Sequence, residues 1–345
     1  MKKYTSLNNF FNDIIDKKLR KILKKDNDLN ETNYLCDIDY MYKNIYNKCN
    51  IVSQVNNDNL LGNKWTQYKN FCEYCKKINK EVPYYIPKTY LINKTKMNKD
   101  ELEDIFKNKK KWIVKPENAS FRAGIHVVNN YKDMMDWINQ YINTKWIVQD
   151  YIDNPLKIED KKMHLRIYVL LIRTKDYAQV FIFNKGYIFL STKKYDINSL
   201  DDESNLSGGD SKEQMRLYPN KLIKDYGIDV YKKILNQINT IVKDTMEATI
   251  DQLSCTNIDV HNYKCYKFLG YDILVTDESN DHKLYLAEVN SRTVNVKFPI
   301  KNMYEDILSI VLDKSNKPLS NSYLRENNIN FYSVIKKVYN KDILN

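Results

Sequence analysis

Glycine is scarce in this chain: seven among 345 residues, about two per cent, where roughly seven per cent is usual. A chain that uses glycine so little keeps it where no other residue serves. Gly62, Gly124, Gly186, Gly208, Gly209, Gly227 and Gly270 therefore mark turns or close approaches. Cysteine is sparse and unpatterned. Of Cys36, Cys49, Cys72, Cys75, Cys255 and Cys265, only Cys72-Glu-Tyr-Cys75 has metal-like spacing. No second Cys-x-x-Cys or His-x-His follows it, which argues against zinc. The pair falls in a helix-like run from Tyr68 to Ile78, as buried thiols do, and nothing points to a disulfide framework. The N-terminus has no apolar signal core, and no apolar run is long enough to span a bilayer. The expectation is a soluble chain in a reducing, cytoplasmic setting, with no membrane partner. Acidic residues are outnumbered, 44 against 55 Lys and Arg, for a net charge of +11. That balance suits an acidic partner. Heavy use of Lys, Asn, Ile and Tyr throughout would give the same excess from a compositional bias alone.

What is present is a chain long enough for two or three subdomains. Residues 1–25 show helical spacing of Phe10, Phe11, Ile14, Ile15, Leu19, Ile22 and Leu23 among lysines, the pattern of a helix docked on a core. Residues 26–60 are polar and Asn-rich. Helices are predicted at Lys64–Lys80, Lys99–Phe106, Tyr131–Ile142, Val230–Leu253, Met303–Leu312 and Phe331–Val338. Strands are predicted at Thr89–Ile92, Trp112–Lys115, Ile125–Val128, Lys145–Ile152, His164–Ile172, Tyr177–Phe183, Tyr187–Leu190, Phe268–Thr276 and Lys283–Val289. Asp196–Gln214 reads as a mobile loop. The order is mixed, antiparallel strands backed by helices, so the class is α+β.

The last two strands carry the chemistry. Taken as a hairpin centred on Asn280, they pair Asp272 with Glu288 and Gly270 with Asn290. Side chains alternate faces with a period of two, so Asp272, Glu288 and Asn290 share one face, and Gly270 leaves it open. Two carboxylates and an amide at close quarters need a cation between them. Hard oxygen donors, few in number, suit magnesium that also takes phosphate oxygens. An exposed hairpin with incidental acids is the blander reading. It is weakened by Ile273, Leu274, Val275, Leu284, Leu286 and Val289, which make both strands apolar. Upstream, Lys115 ends a strand ahead of a loop holding Ser120, Arg122 and Gly124, an arrangement that could hold and cover phosphates. Lys162, His164 and Arg166 alternate along one face of the next strand. An exposed lysine and a surface ion pair are the ordinary alternatives for Lys115 and Arg166.

These blocks, in this order, resemble the tubulin-tyrosine-ligase-like enzymes, a branch of the ATP-grasp superfamily. The blocks are Trp112-Ile-Val-Lys-Pro116 with Ser120 to Ile125, Ile147 to Ile152 with Pro155, Lys162-Met-His-Leu-Arg166, Gly186 to Tyr195, Phe268-Leu-Gly-Tyr-Asp272 and Leu286-Ala-Glu-Val-Asn290. They span about residues 61–300. The resemblance implies an ATP-grasp fold, antiparallel sheets backed by helices with ATP between two lobes. It suggests an N-terminal helical region at 1–60, a central subdomain at 61–147 and a C-terminal subdomain at 148–345. It also implies an ATP-dependent ligase that activates a protein carboxylate as an acyl phosphate, which an amino acid's amine then attacks. Carried over by position, Asp272, Glu288 and Asn290 would bind magnesium. Lys64 and Lys115 would reach the ATP phosphates. Gln149, Asp150, Tyr151 and Ile152 would flank the adenine, with Lys162 beside it and His164 near the ribose. Arg166 and Glu288 would serve the transfer itself.

Three positions depart from the family's pattern. His164 stands where an acidic residue is expected, Phe189 where a second arginine is expected, and Asn205-Leu206-Ser207-Gly208 only approximates a His-Leu-Thr-Asn block. Arg173, Arg216 or Arg292 are the candidates to replace the missing cation. The leading expectation is ligation of a free amino acid to an acidic acceptor such as a tubulin tail. The alternative is a non-catalytic module, derived from the same fold, that grips an acidic protein partner. Nucleic-acid binding through the basic N-terminal helix is the weakest of the three readings.

Overall fold

The computed structural model describes residues 51–339, apart from 54, 95–98, 108–110, 119–121, 143–144, 209–210, 256–263, 279–280, 292–299, 301 and 314, together with two short N-terminal strands. Of the helix expected at 1–25, only Tyr4–Thr5 are described, and they form a short strand instead; the rest lies outside the described residues.

The strands, in chain order, are β1 (Tyr4–Thr5), β2 (Leu35–Cys36), β3 (Ile51–Val52), β4 (Thr89–Asn93), β5 (Trp112–Pro116), β6 (His126–Val128) and β7 (Lys145–Asp150). They continue with β8 (Lys157–Ile158), β9 (Lys161–Thr174), β10 (Tyr177–Leu190), β11 (Met215–Tyr218), β12 (Lys264–Val275), β13 (Leu284–Asn290) and β14 (Phe331–Val338). One sheet runs β1-β2-β3-β12-β9-β10-β11, with β13 on β12, β14 on β10 and β8 on β9. A second, smaller sheet runs β4-β7-β5-β6 and is antiparallel throughout.

Alternation along β9 decides which way the large sheet faces. Met163, Leu165, Ile167, Val169 and Leu171 pack with Leu269, Tyr271 and Ile273 of β12 onto the helix Ile228–Glu247. That helix supplies Ile234, Ile238, Ile241, Val242 and Met246 at helical spacing. Each fully buried aliphatic side chain of this kind contributes about 1.5–3 kcal/mol relative to leaving it in water. On the other face, Tyr168, Leu170 and Ile172 meet the helix Met303–Val311 through Met303, Ile307 and Leu308. The small sheet buries Trp112, Val114, Trp146 and Val148 against Met134 and Ile138 of the helix Tyr131–Ile138.

The β12–β13 pairing has the expected register at its functional end: Gly270 opposite Asn290 and Asp272 opposite Glu288. Beyond it the register slips by one, with Ile273 opposite Leu286, so Ala287 is an extra, bulged residue. The bulge reverses the alternation. Leu284 and Leu286 lie in the core on one side of it, as does Val289 on the other. Glu288 and Asn290 thereby turn to the face that carries Asp272.

Four expectations are corrected. Phe331–Val338 is a strand, not a helix, pairing along β10 from Phe183 to Tyr177. Tyr177–Phe183 and Tyr187–Leu190 form one strand, irregular between Ile182 and Gly186. The stretch Asp196–Gln214 is anchored rather than loose: it contains the helical turn Asp202–Asn205, with Ser204, Asn205 and Leu206 buried. Cys255 and Cys265 form a disulfide across ten positions, where no pairing was expected. Cys72 and Cys75 are free thiols, and Cys75 is buried as expected.

Candidate functional site

The site starts from the even-numbered side chains of β9. Lys162, His164 and Arg166 project opposite to the aliphatic row that meets the long helix, so they share a face. Arg166 lies between β10 and β12, beside Tyr187 on one strand and Asp272 on the other. Glycines on both neighbours give it room. A Cβ at Gly186 would run into the Arg166 carbonyl oxygen, and one at Gly270 would sit 3.0 Å from the Arg166 Cδ.

Arg166 donates through both Nε and Nη2 to the Asp272 carboxylate, the latter at 2.9 Å. Asn290 donates its amide to Asp272 Oδ2 at 3.1 Å. The Arg166–Asp272 pair is largely withdrawn from solvent rather than the surface pair that so basic a chain would allow, with side-chain exposures of 19 % and 14 %. Burial alone would raise the Asp272 carboxyl, but Arg166 and His164 outweigh it and hold it below its ordinary value. Burial likewise opposes the Arg166 charge, and Asp272 more than restores it.

His164 Nδ1 lies 2.8 Å from Ser207 Oγ. Its Nε2 is 3.6 Å from Asp272 Oδ1, buried and without a hydrogen bond. Burial lowers the imidazole to about 4, against the opposing pull of Asp272, so it is neutral at physiological pH. Phe189 lies opposite His164 across the β9–β10 ladder. The two rings stack at 5.2 Å, and the Arg166 guanidinium lies 5.4 Å from the Phe189 centroid.

The helix Lys64–Lys77 brings the next cation. Asn63 caps it by accepting a hydrogen bond from Thr66 N at 2.8 Å, which makes Lys64 its first residue. Lys64 Nζ is 3.4 Å from Glu288 Oε1. A helix start with a lysine on it favours anions.

Lys115, the last but one residue of β5, is buried, not exposed. It donates to Gln149 Oε1 at 2.9 Å, and its Nζ lies 3.4 Å from the carbonyl of the bulged Ala287. Gln149 in turn donates to Thr89 Oγ1 at 2.8 Å. Burial lowers the Lys115 ammonium to about 8, with Glu288 pulling the other way. Lys162 donates to the Tyr151 hydroxyl at 2.7 Å, and that hydroxyl donates to Asn205 Oδ1 at 2.7 Å. Burial lowers Lys162 to about 7, with Asp153 opposing. Asp150, Tyr151 and Ile152 line a cavity of about 600 Å³ together with Pro87, Lys88 and Tyr285.

The sequence-predicted residues thus fall into two linked groups. Arg166, Asp272, Asn290 and His164 form one, and Lys64, Glu288, Lys115 and Gln149 the other, joined where Asp272 faces Glu288. Lys162 with Tyr151 stands along the same face of β9. Ser207, Thr89 and Asn205 were not singled out as partners of these side chains. In the sequence, Asn205 and Ser207 belong only to an approximate family block in a stretch that reads as loop, and Thr89 only starts a strand. Of the loop expected to cover phosphates, Arg122 donates to the Gly208 carbonyl, and Ser120 lies outside the described residues. Neither Arg173 nor Arg216 supplies a replacement cation: Arg173 bonds the Leu253 carbonyl at 3.1 Å and Arg216 pairs with Glu159. Arg292 lies outside the described residues.

Two carboxylates and an amide oxygen from adjacent strands fit magnesium, which takes few protein ligands and completes its shell with phosphate and water. No group of three or more His, Cys, Asp and Glu side chains among the described residues could cage a metal by itself. A cation here would rely on oxygens brought by its ligand.

Comparison with known proteins finds a family and several relatives. The profile of the Tubulin-tyrosine ligase family matches residues 43–322. The chain is 26 % identical over 233 residues to tubulin glycylase 3C of Tetrahymena thermophila, covering 61 % of this chain and 21 % of that protein. It is 29 % identical over 252 residues to a probable tubulin–tyrosine ligase of Schizosaccharomyces pombe, covering 69 % of this chain and 58 % of the other. A probable alpha-tubulin polyglutamylase of Tetrahymena thermophila is 26 % identical over 318 residues, or 76 % and 73 % of the two chains. The chain spans only about a fifth of the length of the glycylase it matches.

Proposed function

The chain belongs to the tubulin-tyrosine ligase family, and from that premise we propose that it is an ATP-dependent ligase joining a free amino acid to a carboxylate of an acidic protein, with tubulin as the acceptor. The family implies the ATP-grasp fold, and the mixed α+β architecture accords with it. In this reading the nucleotide lies between the small sheet and the polar half of β9.

The observation that carries the proposal is the convergence of Lys64, Lys115 and Arg166 on Asp272, Glu288 and Asn290. Phosphoryl transfer needs little covalent help from protein; it needs positioning and charge neutralisation. Asp272, Glu288 and Asn290 would hold magnesium, which supplies neutralisation of the triphosphate. Lys64, at a helix start, and Lys115 would bind phosphate oxygens. Gln149 steers Lys115, and Thr89 steers Gln149. Arg166 would stabilise the charge on the phosphoryl group as the acceptor carboxylate becomes an acyl phosphate. Gln149 to Ile152 would flank the adenine, with Lys162 hydrogen-bonded to Tyr151 behind them. The net charge of +11 suits an acidic tail.

The test is to incubate the protein with magnesium, ATP, tubulin and each amino acid in turn, and to read acceptor mass. A mass gain equal to one or more amino-acid residues is expected, and its loss in Glu288→Gln. No gain with any amino acid, despite measurable nucleotide binding, would overturn the proposal.

One observation favours a second reading. Phe189 stacks on His164 beside Arg166, so an aromatic pair occupies the place where the family pattern implies an acid and an arginine. On this reading the site binds nucleotide without transfer, and the protein grips its acidic partner. It expects partner binding that survives Glu288→Gln. Phe189→Arg separates the two: a ligase slowed by the missing cation gains about tenfold in rate, or ~1.4 kcal/mol, whereas a binding module stays inert.

A further inference from the structure

The sheet face that carries Arg166 differs on its two sides. Toward β12 and β13 stand Asp272, Glu288 and Asn290. Toward β10 and β11 the same face shows Tyr187 and Phe189, with Leu217 and Met215 opposite them in the β10–β11 ladder. Arg216, the one charged residue of β11, turns to the other face and pairs with Glu159. Phe189 and Met215 are half-buried against the apolar cluster that holds Tyr187, and Leu217 is 54 % exposed. An apolar shelf thus leads from Arg166 to the edge of the sheet, where β11 lies.

We propose that this shelf takes the side chain of the amino acid that the site joins to its acceptor, and that this amino acid is a large apolar one, of leucine size or above. The proposal rests on the reading of the site as a ligase. In that reaction the amine nitrogen attacks the acyl carbon and a C–N bond forms. The C–O bond to phosphate breaks, phosphate leaves with the electron pair, and the amine gives up a proton to solvent. In this reading Arg166 stands where the acyl phosphate forms, and the carboxylates on its β12–β13 side are committed to metal and nucleotide. The amine therefore comes in from the β10–β11 side. An acidic acceptor peptide finds no counter-charge on Tyr187, Phe189, Met215 and Leu217, and covering a carboxylate there is costly. The same cost applies to a glutamate or aspartate side chain. Size follows from the strand spacing. Neighbouring strands lie about 5 Å apart, so Tyr187 and Phe189 are about 5 Å from the row of Arg166 and His164, and Leu217 and Met215 about 10 Å. From an α-amine beside Arg166, a leucine, methionine or phenylalanine side chain reaches across Tyr187 and Phe189 toward Leu217. The hydrogen of glycine and the methyl of alanine leave that surface in water.

A competition tests this: the full chain with magnesium, ATP, tubulin and all twenty amino acids at equal concentration, read by acceptor mass. The expected gain is that of Leu, Ile, Met, Phe, Tyr or Trp, at least about tenfold over glutamate and over glycine. Leu217→Arg, at an exposed position that a long charged side chain fits, puts a cation on the shelf. It should lower the ratio of kcat/KM for the preferred amino acid to that for glutamate by about tenfold. Met215→Arg does the same should Leu217→Arg not fold. A change in stability alone leaves that ratio where it was. Preferred addition of any other amino acid overturns the proposal, as does a ratio that neither variant moves. No mass gain with any amino acid overturns instead the reading on which the proposal rests.

Discussion

The even-numbered side chains of β9 lie on one face of one strand, yet that face has two halves of opposite character. Tyr168, Leu170 and Ile172 are apolar and lie beneath the helix Met303–Val311. Lys162, His164 and Arg166 are polar, and their partners are Tyr151, Ser207 and Asp272 rather than a covering helix. The pairing with β12 is continuous through both halves, from Thr174 opposite Lys264 to His164 opposite Leu274. The pairing with β10 is not: its register shifts between Ile182, opposite Val169, and Gly186, opposite Ile167. The boundary between Arg166 and Tyr168 therefore coincides with a break on the β10 side, and what packs over each half makes one of them core and the other site.

The comparison breaks most severely if the polar half loses its internal neutralisation. Asp272→Asn keeps the shape but leaves Arg166 buried without a counter-charge. The expected cost is about 3–5 kcal/mol, read as a lower urea midpoint at unchanged slope, together with loss of magnesium-dependent nucleotide binding. Leu170→Ala breaks the apolar half. It should cost about 2–5 kcal/mol and leave nucleotide affinity within a factor of two or so, because Leu170 touches the helix and not the site. If it weakened nucleotide binding as strongly as Asp272→Asn, the two halves would not be separable. The gentlest perturbation changes no residue. Lys162 is held near 7 in the folded chain by burial and returns to 10.5 on unfolding. Between those values the unfolded chain carries a proton that the folded chain lacks, so this group makes stability rise with pH. Denaturation at several pH values should show that rise, and Lys162→Met should reduce it, most clearly between pH 7 and 8, leaving the share of Lys115 and Lys264, which burial lowers to about 8.

The polar half was largely legible in the sequence because it is written in strands. Alternation put Lys162, His164 and Arg166 on one face, which needs no tertiary information. A hairpin centred on Asn280 put Asp272 opposite Glu288, a register that the strands lack near the turn, where Val275 faces Leu284, and that the bulge at Ala287 restores. The partners were not legible because they come from other segments: Ser207 and Asn205 from a stretch read as loop, and Thr89 from a strand of the small sheet, meet the site only because of how those segments return to it. Phe331–Val338 was misread because Phe331, Ile335 and Val338 fit a helical spacing, while the deciding factor is an open edge on β10 that lies far away in the chain. The Cys255–Cys265 bond was invisible for a similar reason, since spacing alone does not show that a loop end and a strand start come together. The slip at Ala287 does leave a mark, since the apolar positions change parity from Leu284 and Leu286 to Val289, but a symmetric hairpin reads straight through it.

That slip has a consequence for how the hairpin can change over time. With Ala287 present the strand has to bulge, because unbroken alternation from Leu284 and Leu286 would carry Glu288 and Asn290 to the core face. Removing Ala287 would set Leu286 beside Glu288, and regular alternation alone would then keep Leu284, Leu286 and Val289 in the core and Glu288 and Asn290 beside Asp272. What would go is the bulge and the approach of its carbonyl to Lys115 Nζ. The strand therefore holds one residue it can give up without losing phase, and that deletion should be milder than the loss of the Glu288 or Leu286 side chain.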